Sequence, residues 1–159
     1  MKKALLVVAI LSIFAFTAFG QEIKPFRINL SGVSFSLGGG GLGFEYAIPV
    51  GTMTLGIEAD ALYGSVNPWT FIGNLRLYPF SVKGDGFYTS INGGYRTAGG
   101  FDVSDSTTVG GAVGWRWILF GFLNLGIGVG AEYIMPFDTT YNNGAGISPR
   151  LEASLGVAF

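Results

Sequence analysis

Ser148–Phe159 reads S-P-R-L-E-A-S-L-G-V-A-F. Leu151, Ala153, Leu155, Val157 and Phe159 alternate there with Arg150, Glu152, Ser154, Gly156 and Ala158. Successive side chains of a strand point to opposite faces. One face is therefore apolar and ends on an aromatic ring, while the other carries an Arg, a Glu and small residues. A period of two held over the whole stretch predicts a strand, not a helix.

The same alternation recurs seven times upstream. Phe26–Leu37 sets Phe26, Ile28 and Leu30 against Arg27 and Asn29; its phase slips near Ser31-Gly32, which predicts a β-bulge. Gly41–Ile48 sets Leu42, Phe44, Tyr46 and Ile48 against Gly43, Glu45 and Ala47. Thr52–Tyr63 sets Met53, Leu55, Ile57 and Tyr63 against Thr54, Gly56, Glu58 and Asp60. Trp69–Phe80 sets Trp69, Phe71, Leu75 and Leu77 against Thr70, Asn74, Arg76 and Tyr78. Phe87–Thr97 sets Phe87, Ile91 and Tyr95 against Tyr88, Ser90, Asn92 and Arg96. Thr107–Leu119 sets Val109, Val113, Trp115 and Trp117 against Gly110, Ala112, Gly114 and Arg116. Phe122–Ile134 sets Leu123, Leu125, Ile127, Val129 and Tyr133 against Asn124, Gly126, Gly128, Gly130 and Glu132.

Ahead of these segments lies a leader. Met1-Lys2-Lys3 is basic, Ala4–Phe19 is an apolar run, and Ala18-Phe19-Gly20 places small residues just before Gln21-Glu22. That is the pattern of a cleaved secretory signal peptide over residues 1–20, leaving 21–159 as one domain. The alternative is an uncleaved anchor, for which the run is short. With no Cys in the chain there is neither a lipid-modified Cys nor a disulfide framework.

Charged residues make up only 12% of the 159, Gly contributes 27, and mean hydropathy is +0.48. Yet no segment after the leader is a spanning helix. Trp117–Ala131 comes nearest, and Asn124 and the glycines at 121, 126, 128 and 130 break it. Lipid offers no hydrogen bonds, so backbone groups that cross it are paired within a helix or a closed barrel. An apolar, exported chain built of strands therefore predicts an all-β fold: an eight-stranded antiparallel up-and-down transmembrane β-barrel. The connections agree. Pro49-Val50-Gly51, Val82–Gly86 and Phe120-Gly121 are short, while Gly64–Pro68, Ala98–Ser106 and Met135–Ile147 are longer; Gly38–Gly40 departs from the pattern. Short periplasmic turns and longer outer loops are the expected asymmetry.

Charge placement assigns the polar phase to the lumen. Arg27, Arg76, Arg96, Arg116 and Arg150 all fall on it, as do Glu45, Glu58, Asp60, Glu132 and Glu152. Five charges of each sign cancel inside a narrow barrel, and a buried charge must be paired. The Arg fork suits such confined pairing, whereas Lys24 and Lys83 fall in the leader-proximal segment and a turn. On the apolar phase, aromatics cluster near strand ends. Phe26, Tyr46, Phe87, Trp117, Phe122 and Phe159 mark a periplasmic rim, and Tyr63, Trp69, Tyr95 and Tyr133 an outer one. Two such girdles are expected of a bilayer-spanning barrel.

Signal peptide, eight alternating segments and the terminal Leu155-Gly156-Val157-Ala158-Phe159 resemble the small outer-membrane barrels of the OmpA/OmpX type. The resemblance implies residence in the bacterial outer membrane and recognition of the strand ending in Phe159 by barrel-assembly machinery. The chain departs from the OmpA arrangement in showing no peptidoglycan-binding domain after the barrel, so wall anchoring by such a domain is not implied. Some barrels of this size modify lipid A with a catalytic His; this chain has no His.

Catalytic signals are sparse. Without His or Cys there is no Ser–His triad, Cys nucleophile or usual zinc set, and no metal or cofactor is expected. Glu58 and Asp60 share a strand face, as do Arg150 and Glu152; the first pair reads as an acid/base or cation site, or as acids neutralised by Arg76 or Arg96. Gly38–Gly41 with Gly43 lacks the remainder of a phosphate-binding loop and reads as a tight hairpin. Gly126, Gly128 and Gly130 either relieve crowding by Arg side chains or line a water path. Asp102, Asp105 and Asp138 lie in outer loops, and nothing basic suggests nucleic acid as a partner. The expected function is that of a non-enzymatic, monomeric barrel in the lipid bilayer, structural or adhesive through its outer loops, with a lumen closed by Arg–Glu/Asp pairs. A small pore and a secreted, soluble, lipocalin-like barrel for an apolar ligand are the alternatives.

Overall fold

The computed structural model describes residues 24–33, 39–64, 68–99, 104–138 and 145–159. Eight strands alternate up and down: β1 (Phe26–Val33), β2 (Gly39–Val50), β3 (Met53–Gly64), β4 (Trp69–Tyr78), β5 (Gly86–Arg96), β6 (Ser106–Leu119), β7 (Leu123–Pro136) and β8 (Gly146–Ala158). Each pairs antiparallel with its neighbours in sequence, and β1 pairs with β8 to close the barrel. Among the described residues there is no helix long and apolar enough to cross a membrane.

The register fixes the barrel's shape. From Ser106 the paired positions run through Arg96, Thr70, Leu62, Gly41, Ser31, Ser154 and Gly126 to Arg116. One circuit thus advances ten residues along β6 (116 − 106 = 10). Eight strands with that stagger tilt by about 40° and place the backbone about 8 Å from the axis. Such an interior is just wide enough for side chains to fill.

Burial alternates as the sequence pattern does. β4 switches without a break from exposed Trp69 to buried Tyr78. Leu30, Phe44, Ile57, Ile91, Val113 and Leu155 are exposed, while Arg27, Glu45, Arg116, Glu132 and Arg150 are at most 2% exposed. Apolar side chains thus cover the outside and charged ones fill the inside, the reverse of a soluble domain.

Two features differ from the sequence expectation. Ser31 and Gly32 pair one-to-one with both β2 and β8, so β1 carries no bulge there. The apparent slip comes from Val33, an apolar residue that the unbroken pairing keeps on the same phase as Arg27 and Asn29. The β4–β5 connection spans 79–85, longer than the 65–68 connection at the opposite end, so the turn-and-loop asymmetry is partial. Positions 34–37 of the first segment, Gly38, Asp102 and the leader at 1–20 lie outside the described residues.

The long β4–β5 connection is tied to the lumen. Arg27 Nη2 donates to the Lys83 carbonyl (2.6 Å). Gly84, at φ +69°, lies against the Arg27 guanidinium, where a Cβ would collide. Ser81 Oγ bonds the Asp85 carboxylate and accepts from the Lys83 amide (3.1 Å).

Candidate functional site

The ten charged residues of the polar phase all lie buried inside the barrel, none more than 6% exposed. Glu45 is the hub of the turn-end half. β2 turns it inward between Gly43 and Ala47, and the absence of a side chain at Gly56 on β3 leaves its carboxylate room; a Cβ there would sit 2.6 Å from Oε1. Glu45 Oε1 meets Arg27 Nη1 (2.7 Å) and accepts from the Tyr78 hydroxyl (2.9 Å). Glu45 Oε2 meets Arg76 Nη1 (3.1 Å) and Arg116 Nη1. Three guanidinium groups therefore converge on one carboxylate.

Arg76 carries the network upward. Its Nη1 is 2.5 Å from Glu58 Oε2 and its Nη2 is 3.3 Å from Glu152 Oε2. Arg150 Nε donates to Glu152 Oε1 (2.8 Å), and Arg150 Nη1 lies 3.6 Å from Glu132 Oε2. Glu132 Oε1 accepts from Arg96. All five Arg residues thus form one chain of ion pairs with Glu45, Glu58, Glu132 and Glu152. Asn74 Nδ2 donates both to Asp60 (2.8 Å) and to Glu58 (3.1 Å). Arg76 is accordingly a partner of Glu58, and Arg96 pairs with Glu132.

Several interior residues extend beyond the charge pattern read in the sequence. Tyr78 and Tyr88 are at most 1% exposed, with ring centroids 5.8 Å apart. The Arg76 guanidinium lies 5.0 Å from the Tyr88 ring centroid, and the Tyr88 hydroxyl donates to Glu152 (2.8 Å). Gly114 and Gly128 make space for this phenol, since a Cβ at either would strike its hydroxyl. Gly126 faces Ser154 Oγ and Arg116 Nε, and Gly130 abuts the backbone of Gly111 and Ala112. Asn29 and Asn124 bond to each other (2.5 Å) near Glu58. The available signal was an aromatic on the polar phase of a strand, facing glycines one and two strands away. Nearer the loop end, Leu62 and Ile72 pack together inside, and Asn92 Nδ2 and Oδ1, Thr108 Oγ1 and Arg96 Nε are buried without a hydrogen bond among the described residues.

Outside, Phe26 packs on Tyr46 (centroids 4.9 Å) and Phe159 (6.2 Å) at the turn end, and Tyr63 on Trp69 (5.4 Å) at the loop end. Phe87, Tyr95, Phe122 and Tyr133 are also exposed, while Trp117 is half-buried. The ten-residue step from Leu123 to Tyr133 projects to about 25 Å along the axis at this tilt. Two further exposed rings, Phe80 and Phe120, sit on turns.

At the loop end the Tyr95 hydroxyl donates to Asp105 Oδ2, and the Ala98 amide to Oδ1 (2.6 Å). These donors hold the Asp105 carboxyl below its ordinary pKa, the Tyr95 bond contributing most.

The sequence matches no protein-family model and no curated protein. Among solved structures, the chain is similar to the N-terminal β-barrel domain of Pseudomonas aeruginosa OprF, at 12% identity and a TM-score of 0.45, covering 87% of this chain and 98% of that one.

Proposed function

We propose that this protein is a non-enzymatic outer-membrane β-barrel whose lumen is a plug, and whose work is structural or adhesive through its outer loops. The observation that carries this reading is the inverted burial: apolar side chains outside, a charge-neutral web of Arg and Glu within. A bilayer tolerates a strand only when its backbone is paired in a closed sheet and its outward face is apolar. A soluble barrel for an apolar ligand needs the opposite arrangement. On this reading residues 1–20 are a leader removed before Gln21, barrel-assembly machinery reads the β8 pattern ending in Phe159, and the folded chain acts as a monomer.

A small pore is the second reading, favoured by the buried polar atoms of Asn92, Thr108 and Arg96, which have no hydrogen-bond partner among the described residues and which water or a passing solute would satisfy. Planar-bilayer recording on protein first shown to migrate as a heat-modifiable folded band separates the two. The plug gives a closed baseline; steady unitary openings would replace it with the pore.

A further inference from the structure

The two ends of the barrel differ in chemistry. At the turn end lie Gly51-Thr52, the 79–85 connection, the Phe120–Phe122 turn and the ends of β1 and β8. Phe80 is 86% exposed and Phe120 78%, more than any rim aromatic; Val82 and Phe122 are exposed two residues from them, and Val50 at the β2–β3 turn. Lys24 and Lys83, the lysines outside the leader, are at this end. Asp85, the acidic side chain described at this end outside the lumen, is 9% exposed and bonded to Ser81. The opposite end presents Asp105 and Asp138.

The backbone holds the aromatic pair in place at a cost. Phe120 has φ 53° and Gly121 φ 77°, and the Phe122 amide donates to the Leu119 carbonyl (3.1 Å). Two positive φ values in succession make a hairpin turn that favours Asn-Gly. A Phe in that conformation is strained, and strain that persists points to a use for the side chain. The bond from Arg27 to the Lys83 carbonyl similarly fixes the connection bearing Phe80 and Lys83.

We propose that the turn end is a docking surface for anionic glycerophospholipid. Lys24 and Lys83 pair with headgroup phosphates, and Phe80 and Phe120 insert at the glycerol level below the girdle. Charge complementarity selects this occupant: the described residues of this end offer two cations and exposed rings, with the Asp85 carboxylate withdrawn, which suits a layer that is anionic at its face and apolar just beneath. The inference rests on the membrane-barrel reading and deepens it.

The test uses the folded barrel in neutral detergent, and heat-modifiable mobility is checked first. A chain that shows no folded band refutes the barrel reading itself. On folded protein, native mass spectrometry compares retained phosphatidylglycerol with phosphatidylcholine of the same acyl chains. The wild type should prefer phosphatidylglycerol, and K24Q combined with K83Q should reduce that preference by roughly fivefold per lysine. F120N should raise the urea midpoint in detergent, because Asn suits the turn, yet retain less of both lipids. A purely structural Phe120 would not separate those two effects. Equal retention of both lipids by the wild type, or variants that bind as it does, would overturn the proposal and leave the surface to a periplasmic protein.

Discussion

Arg76 shows what one residue carries in this barrel. It touches Glu45, Glu58 and Glu152 from β2, β3 and β8, so a β4 side chain ties four strands across the lumen. Replacing it by Leu leaves Glu58 with Arg116 at 4.0 Å as its remaining cation. Breaking a buried pair strands a charge and costs about 3–5 kcal/mol. Arg76→Leu should therefore lower the urea midpoint of the folded, unboiled band by an amount of that order. Lys83→Gln, at a half-buried turn residue that bonds Arg27 through its backbone carbonyl, should stay within about 0.5 kcal/mol in detergent. Equal small shifts would mean the polar face is solvated. That Arg76 lies on the inner phase was legible in the alternation of β4, and so was its pairing with Glu58 on the neighbouring strand. Glu45 and Glu152 were not, because residues from β2 and β8 become its neighbours only through the ten-residue stagger of the closed sheet.

At the scale of elements, the interior is filled by complementary strands, not by charge alone. β5 presents Tyr88, and β6 and β7 answer with Gly114 and Gly128. Gly128→Ala would press on the Tyr88 hydroxyl, with the Val113 carbonyl at 3.2 Å and Glu152 Oε2 at 3.3 Å leaving little space for relief. Overpacking of this kind costs about 1–3 kcal/mol. Tyr88→Phe removes the hydroxyl and its bond to Glu152, a loss of about 1 kcal/mol. The two changes should be less than additive, by about 0.5–3 kcal/mol in a double-mutant cycle read from urea midpoints; strict additivity would show that the ring and the glycine do not share space. The strands were legible because each keeps its period of two on both sides of a glycine. The exception is local to β1, where apolar Val33 falls on the polar phase although the pairing continues unbroken. The 79–85 connection was also misjudged, since its length is set by Arg27 reaching the Lys83 carbonyl from another strand.

For the whole molecule, shear, tilt and girdle spacing describe one quantity, the height of the apolar band. Phe87 to Tyr95 on β5 spans eight steps, or about 20 Å along the axis, and Phe122 to Tyr133 spans eleven, or about 28 Å. Both pairs lie on the outer surface. The average, near 25 Å, matches the apolar band of outer-membrane barrels and is thinner than an average bilayer core of about 30 Å. A closed barrel cannot shorten or lengthen its band by tilting as a helix can, because tilt is fixed by strand number and stagger. The bilayer must therefore adjust, at fractions of a kcal/mol per Å of mismatch. Unfolding midpoints in vesicles of graded hydrocarbon thickness should peak near about 25 Å and fall by a few kcal/mol of stability toward about 32 Å. A flat profile would mean that the exposed apolar face does not meet acyl chains. A peak at the thick end would move the rims outward to Phe120 and Phe137, making the turn-end rings part of the girdle and not wedges beneath it.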